Sequence, residues 1–231
     1  MLFRQLFDEN TWTYTYLIAE QKGGRAILID PVLEKIKVYQ ELIEALELKL
    51  IYAIDTHVHA DHITALGKLR QIYNCETVHG EKSKATGITR HVKDNEILEL
   101  GNLKLKTLYT PGHTDDSYCF LLDAQPANLL FSDDTLLIRG TGRTDFQHGN
   151  AAQQYDSIFN KLLQLENNTL VYPGHDYRGL TVSTIGEEKR NNPRLQVNNS
   201  AEYIELMKNV KLEKPQQMDV AVPANLQCGN L

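Results

Sequence analysis

The chain has 231 residues, 42% hydrophobic and 23% charged, with a formal net charge of −6. This is enough for one large α/β domain or two small ones, with a substantial core, and the acidic balance excludes the basic footprint of a nucleic-acid or anionic-lipid binder. No apolar run approaches the roughly 18 residues that span a membrane, so neither nucleic acid nor membrane is expected as a partner.

In chain order, MLFRQLF and TYTYLIA are β-rich, and RAILIDP is a short apolar strand stopped by its proline. Residues 33–48, LEKIKVYQELIEALEL, carry apolar positions at helical spacing. The strand KLIYAID, a His/Asp loop and a second helix, ITALGKLRQIY, follow. Strand, helix, strand, helix implies a sheet layered with helices. Then come the β-rich pieces CETVHG, EILELG and LKLKTLYT, and the strands SYCFLLD and NLLFSDD. After the loop RGTGRTDFQHGN, the pattern predicts a helix over 151–165, the strand TLVYPGHD and a late helix, SAEYIELMKNV. No repeat or low-complexity linker divides the chain, so residues 1–231 are read as a single domain, with 212–231 a tail packed on it. The beginning lacks a basic n-region and an apolar h-region, and the three cysteines (Cys75, Cys119, Cys228) are odd in number and scattered. Both features predict a reducing, cytoplasmic setting.

Four polar clusters fall at the C-terminal ends of predicted strands: THVHADH after LIYAID, TPGHT after LKLKTLY, SDD after NLLF, and PGHD after TLVY. Carboxyl ends of strands are where α/β sheets build sites. Five of the eight histidines (His57, His59, His62, His113, His175) lie in these clusters beside Asp61 and Asp134, whereas His79, His91 and His148 read as ordinary. The Pro-Gly pairs before His113 and His175 make tight turns, and Gly112 and Gly174 remove bulk where backbone approaches a metal. Spacing alone favours two metals: His57, His59 and His113 on one, Asp61, His62 and His175 on the other, Asp134 bridging. Imidazole and carboxylate suit zinc, iron and others, so the donors leave the metal's identity open.

The order HxHxDH, lone His, Asp, last His resembles the metallo-β-lactamase superfamily. That resemblance implies an αββα sandwich, two packed mixed β-sheets flanked by helices. Finer motifs, LLIRGTGRTDFQHGN, PGHDYRGLTVSTIGEEKRNNPRL and PANLQCG, together with FRQLFD and THVHADHITA, are similar to the persulfide dioxygenases, or sulfur dioxygenases, of its glyoxalase II-like branch. The resemblance implies one Fe(II) per chain, held by His57, His113 and Asp134, with three positions open for water, sulfur and dioxygen. It places His59, Asp61, His62 and His175 around these ligands as hydrogen-bonding support. It implies glutathione persulfide and O2 as substrates, a homodimer, and a functional link to a separate rhodanese.

For the glutathione carboxylates the candidates are Arg143, whose guanidinium can grip a carboxylate in two places, and Tyr177. A salt bridge from Arg143 to Asp145 and simple packing of Tyr177 are the alternatives. Two positions depart from the family pattern: Asp133 stands where a glycine is usual, and Thr141 where a cysteine is often found. Cys228 reads as a buried, inert thiol. Competing functions are a dinuclear, glyoxalase II-like thioester hydrolase and a non-catalytic sulfane-sulfur binder or sensor.

Overall fold

The computed structural model describes residues 1–215 and 217–230; Gln216 and Leu231, both within the expected tail, lie outside the described residues. The chain forms two compact units. The first comprises Met1–Lys93, Leu98–Lys104 and Lys214–Leu231, and the second Asp94–Ile97 and Leu105–Glu213.

The first unit holds a six-stranded mixed sheet whose strands are ordered as in the sequence. β1 (Leu2–Asp8), β2 (Thr13–Ala19) and β3 (Arg25–Ile29) are antiparallel. β4 (Lys49–Ile54), β5 (Glu76–Gly80) and β6 (Arg90–Val92) continue parallel to β3. Each apolar strand residue has a physical reason to be there: all seven side chains of β2 are buried, as expected of a strand covered on both faces. A crossover between parallel strands needs a helix-sized connection. α1 (Ile36–Ala45) supplies it between β3 and β4, burying Tyr39 and Ile43. α2 (Leu66–Tyr73) does so between β4 and β5 and closes on Asn74 in a left-handed conformation.

Both helices are shorter than their apolar periodicity predicts. Leu33–Lys35 forms a 3-10 turn ahead of α1, and Glu47, at φ 56°, ends the helical path before Leu48. At α2, Ile63 to Ala65 stay outside the helix because Thr64 is claimed from two sides: its hydroxyl donates to Asp55 Oδ1 (2.9 Å), and its N–H donates to Asn225 Oδ1 (2.9 Å).

The second sheet runs β12-β11-β10-β9-β8-β7, from β7 (Ile97–Leu100), β8 (Leu103–Tyr109), β9 (Tyr118–Leu122), β10 (Leu129–Asp133), β11 (Leu170–Pro173) and β12 (Ser183–Thr184). α3 (Ala151–Tyr155) begins on an Asn150 cap. The regular helix expected over 151–165 changes at Asp156–Lys161 into a π turn and then a 3-10 turn. Side chains anchor this stretch to loops: Ser157 Oγ donates to Pro111 O (2.8 Å), and Gln154 Nε2 donates to Gly142 O (3.2 Å). π turns concentrate where a helix must present particular side chains to a site. α4 (Ile185–Asn191) and α5 (Ser200–Lys208) follow, and α6 (Met218–Asn225) returns the chain to the first unit. β6, α4 and α6 are too short or too irregular in pattern to be read from sequence.

In the second unit Leu130, Leu136, Ile158, Leu162, Val171 and Tyr203 form one fully buried cluster. Leu130→Ala is expected to destabilise this unit by about 2–5 kcal/mol through lost contact and a residual cavity. Chemical denaturation of the folded protein reads this as a lowered midpoint.

Candidate metal centre

In the first unit, strand ends set the loop that carries THVHADH. β3 stops at Asp30, which adopts φ 51° and is buried. Its N–H donates to Ile54 O (2.8 Å), tying the ends of β3 and β4 together. Asp30 Oδ1 then accepts from Thr56 N (2.8 Å), Thr56 Oγ1 (3.1 Å) and His59 Nε2 (3.0 Å).

These bonds assign the histidine protons. A carboxylate can only accept, so His59 Nε2 carries the hydrogen and its lone pair sits on Nδ1. Thr56 gives its one hydroxyl proton to Asp30, so Thr56 Oγ1 accepts from His57 Nδ1 (3.2 Å) and leaves the lone pair on His57 Nε2. His62 Nδ1 donates to Asp61 Oδ2 (2.7 Å), which also accepts from Thr13 Oγ1 (3.1 Å). The rings of His57 and His59 are 4.2 Å apart and those of His59 and His62 4.3 Å. His59, Asp61 and His62 offer donor atoms within 4.8 Å of one another. The structure thus brings all four residues of the motif together, and these bonds set which nitrogen of each imidazole keeps its lone pair.

In the second unit, β10 pairs in parallel with β11, and the register shifts between Phe131 and Asp133. Asp133 takes φ 48°. A bulge of this kind re-aims side chains at a strand end. Asp134 Oδ2 lies 3.5 Å from His113 Nε2, and Asp134 Oδ1 lies 3.7 Å from His175 Nε2. His113 Nδ1 donates to the Arg143 carbonyl (2.8 Å), so its Nε2 lone pair faces the Asp134 carboxylate. Two acceptors set against each other call for a cation between them. Gly142 makes this packing possible, since a Cβ there would stand 2.2 Å from Asp134 O and 2.8 Å from His113 Nδ1. At Gly112 the space a side chain would take is filled by Gln154, and at Gly174 by the Asp133 and Asp134 carboxylates.

Several supporting residues have no signature in the sequence. Glu188, fully buried, accepts from Arg139 N (2.8 Å), Ser183 Oγ (2.6 Å) and Asn192 Nδ2 (2.9 Å). Asn192 also donates to Gly140 O (2.9 Å), and Arg194 donates to Thr141 O and to Thr141 Oγ1 (3.1 Å). The segment after PGHD thereby fixes the RGTG turn that carries Gly142. Asp176 accepts from Arg178 N (2.7 Å) and Leu180 N (2.8 Å), shaping the turn after His175.

Arg143 makes two bonds to Asp145 (2.7 and 2.8 Å), one each to Leu212 O (3.1 Å) and Glu213 O (2.6 Å), and stacks on Phe146 at 4.3 Å. Tyr177 is exposed and stacks parallel to His175 at 6.2 Å. Thr141 is buried beneath Tyr203 Oη (3.2 Å). Cys228 is fully buried, and burial pushes its thiol up to about 11, which keeps it protonated and unreactive near neutral pH. Of the histidines read as ordinary, His79 is fully buried with Nε2 3.3 Å from Asp55 Oδ2.

The donor set fits a metal ion. Besides the lone pairs assigned above, His62 Nε2 and Asp134 Oδ1 are buried without a hydrogen-bond partner among the described residues, a cost of about 1–3 kcal/mol each unless a cation completes them.

Comparison with known proteins agrees. A sequence model of the metallo-beta-lactamase superfamily matches residues 13–175. The chain is 46% identical to the mouse mitochondrial persulfide dioxygenase ETHE1 over 230 residues, 99% of this chain and 89% of that one. A crystal structure of ETHE1 from Myxococcus xanthus superposes with a TM-score of 0.95 at 47% identity, with both chains fully covered. A hydroxyacylglutathione hydrolase from Dictyostelium discoideum is 36% identical over 73% of this chain and 63% of its own. The chain therefore has the metallo-β-lactamase fold and belongs, within that superfamily, to the persulfide dioxygenases.

Proposed function

We infer that this protein oxidises a low-molecular-weight persulfide, glutathione persulfide in the first instance, with O2 at a single Fe(II). Balanced, glutathione persulfide, O2 and water give glutathione, sulfite and two protons; the sulfur–sulfur bond breaks and O2 accepts four electrons. The observation that carries the chemistry is Asp134, whose carboxylate lies 3.5 and 3.7 Å from two histidine Nε2 atoms. The full-length likeness to persulfide dioxygenases supports this branch over the hydrolases, which match over less of the chain.

The resemblance assigns His57, His113 and Asp134 to the iron. When bound, iron supplies the electrons that relieve the spin barrier of dioxygen and a place to orient it beside an anionic sulfur. The chain's own residues do the rest. Asp30 fixes the imidazole of His59, and the Arg143 carbonyl fixes that of His113, so each presents one defined nitrogen. His59, Asp61, His62 and His175 act from around the ligands. Tyr177, exposed and stacked on His175, would meet the glutathione part.

Arg143 has four of its N–H groups committed to Asp145, Leu212 and Glu213, as described above. Arg143→Gln is therefore expected to weaken metal binding by about 10–100-fold, by loosening the carbonyl that orients His113. The KM for persulfide in reloaded enzyme should change little. Chelator competition and steady-state kinetics check this; a raised KM at unchanged metal affinity would assign the guanidinium to the substrate.

The deciding experiment is protein from iron-replete cells, analysed for metal and assayed in an oxygen electrode with glutathione persulfide. One iron per chain, oxygen uptake and sulfite release are expected. Two zinc ions and no uptake would favour the thioester hydrolase, and metal without turnover of either substrate the sulfane-sulfur binder. Metal supply matters in this experiment, because zinc outcompetes Fe(II) for such donors. The same reading carries a homodimer, a rhodanese as sulfur donor and a cytoplasmic location, which light scattering, a coupled assay and fractionation test. No helix among the described residues is long and apolar enough to cross a membrane.

A further inference from the structure

The motif PANLQCG lies over 160 positions from the metal loop in sequence, and the function above makes no use of it. In the structure, Asn225, the last residue of α6, is fully buried, and its side-chain amide bonds to the backbone of that loop. Its Oδ1 accepts from Thr64 N (2.9 Å), and its Nδ2 donates to His59 O (2.9 Å) and His62 O (2.8 Å). One planar amide thus satisfies three backbone groups that flank the donors His59, Asp61 and His62. A neutral amide suits this task because it both donates and accepts, which neither a carboxylate nor an ammonium can do.

The rest of the motif holds the amide in place. Cys228 O accepts from Gly67 N (3.0 Å), and Leu226 O accepts from Thr86 N (2.7 Å). Gly229 adopts φ 77°, and a Cβ there would stand 2.2 Å from Thr64 O, so only glycine lets the chain pass so close to the loop.

We propose that Asn225 is a positioning residue for the metal: the C-terminal motif is a clamp that sets the backbone of residues 59–64, and through it the direction of the imidazoles. This rests on the reading that the THVHADH loop serves a metal. It requires neither iron nor persulfide chemistry.

The test uses full-length protein stripped of metal and titrated with Co(II), followed by its visible absorption and by competition with a chelator. Asn225→Asp keeps the size and the acceptor for Thr64 N but loses both donated bonds, and Asn225→Ala loses all three. A control, Val220→Gly, weakens the same helix at an exposed position away from the loop. Both Asn225 variants are expected to bind Co(II) about 10–100-fold more weakly with an altered absorption band. Val220→Gly should bind like the unaltered protein despite a lower melting temperature. Unchanged affinity and spectrum in a folded Asn225 variant overturns the proposal, as does an equal loss in the control. If Asn225→Asp does not fold, Asn225→Ala decides alone. Failure of the unaltered protein to consume oxygen would sink the dioxygenase reading without touching this result.

Discussion

His113→Ala is expected to abolish oxygen uptake while leaving a folded protein. His113 projects from the turn after β8 and contributes nothing to the apolar cluster of the second unit. Its Nδ1 donates to the Arg143 carbonyl, and its Nε2 lies 3.5 Å from Asp134 Oδ2. Losing a neighbour that merely orients a ligand costs about 10–100-fold in activity or affinity, so losing a ligand itself should cost more than about 100-fold. Uptake should fall to the level of the metal-free protein, with an unchanged far-ultraviolet circular dichroism spectrum. Persistent uptake in the folded variant would show that the site is wrongly assigned.

Asp30→Ala should be the most damaging change at a residue that need not touch metal or substrate. The carboxylate anchors Thr56 N, Thr56 Oγ1 and His59 Nε2, all buried. Removing it leaves three buried donors to find new partners, at about 1–3 kcal/mol for each that fails. It also frees the tautomer of His59 and, through Thr56, that of His57. We expect a lowered unfolding midpoint together with metal affinity reduced by about 10–100-fold. Denaturation and metal titration on the same preparation separate the two effects. Asp30→Asn should restore much of the stability but less of the affinity, because an amide can meet Thr56 while losing the charge that fixes the imidazole proton.

Much of this site is legible from the amino acids because metal donors crowded at strand ends have few other reasons to be there. THVHADH is a local word, and its four donors do converge within the first unit. His113, Asp134 and His175 are separated by tens of residues, yet each follows an apolar strand, and parallel or neighbouring strands bring their ends together. What escapes is the support. Asp30 looks like the usual acid before a proline, and nothing nearby reveals that His59 will reach it. Asn225 and Glu188 act on partners far along the chain, with no periodicity to announce them. That Asp134 lies beside His113 and His175 follows a register shift after Phe131, which strand propensity does not encode. The helix over 151–165 is visible as a helix, but its π turn reflects bonds from Gln154 and Ser157 to other loops, a tertiary demand that overrides local preference.

The route of the chain has a consequence for biosynthesis. The first unit begins at Met1 but is completed only by residues after Lys214, and Asn225 meets the His62 carbonyl across 163 positions. A ribosome releases that segment after both sheets, and contacts of such long range close late because the intervening loop must first be restrained. A nascent chain can therefore build most of both sheets while its histidine loop is still unclasped, and under the proposed clamp, firm metal binding waits until Asn225 has been made. A message that stops before codon 218 would yield a protein with all its strands but without the asparagine proposed to clasp its histidine loop.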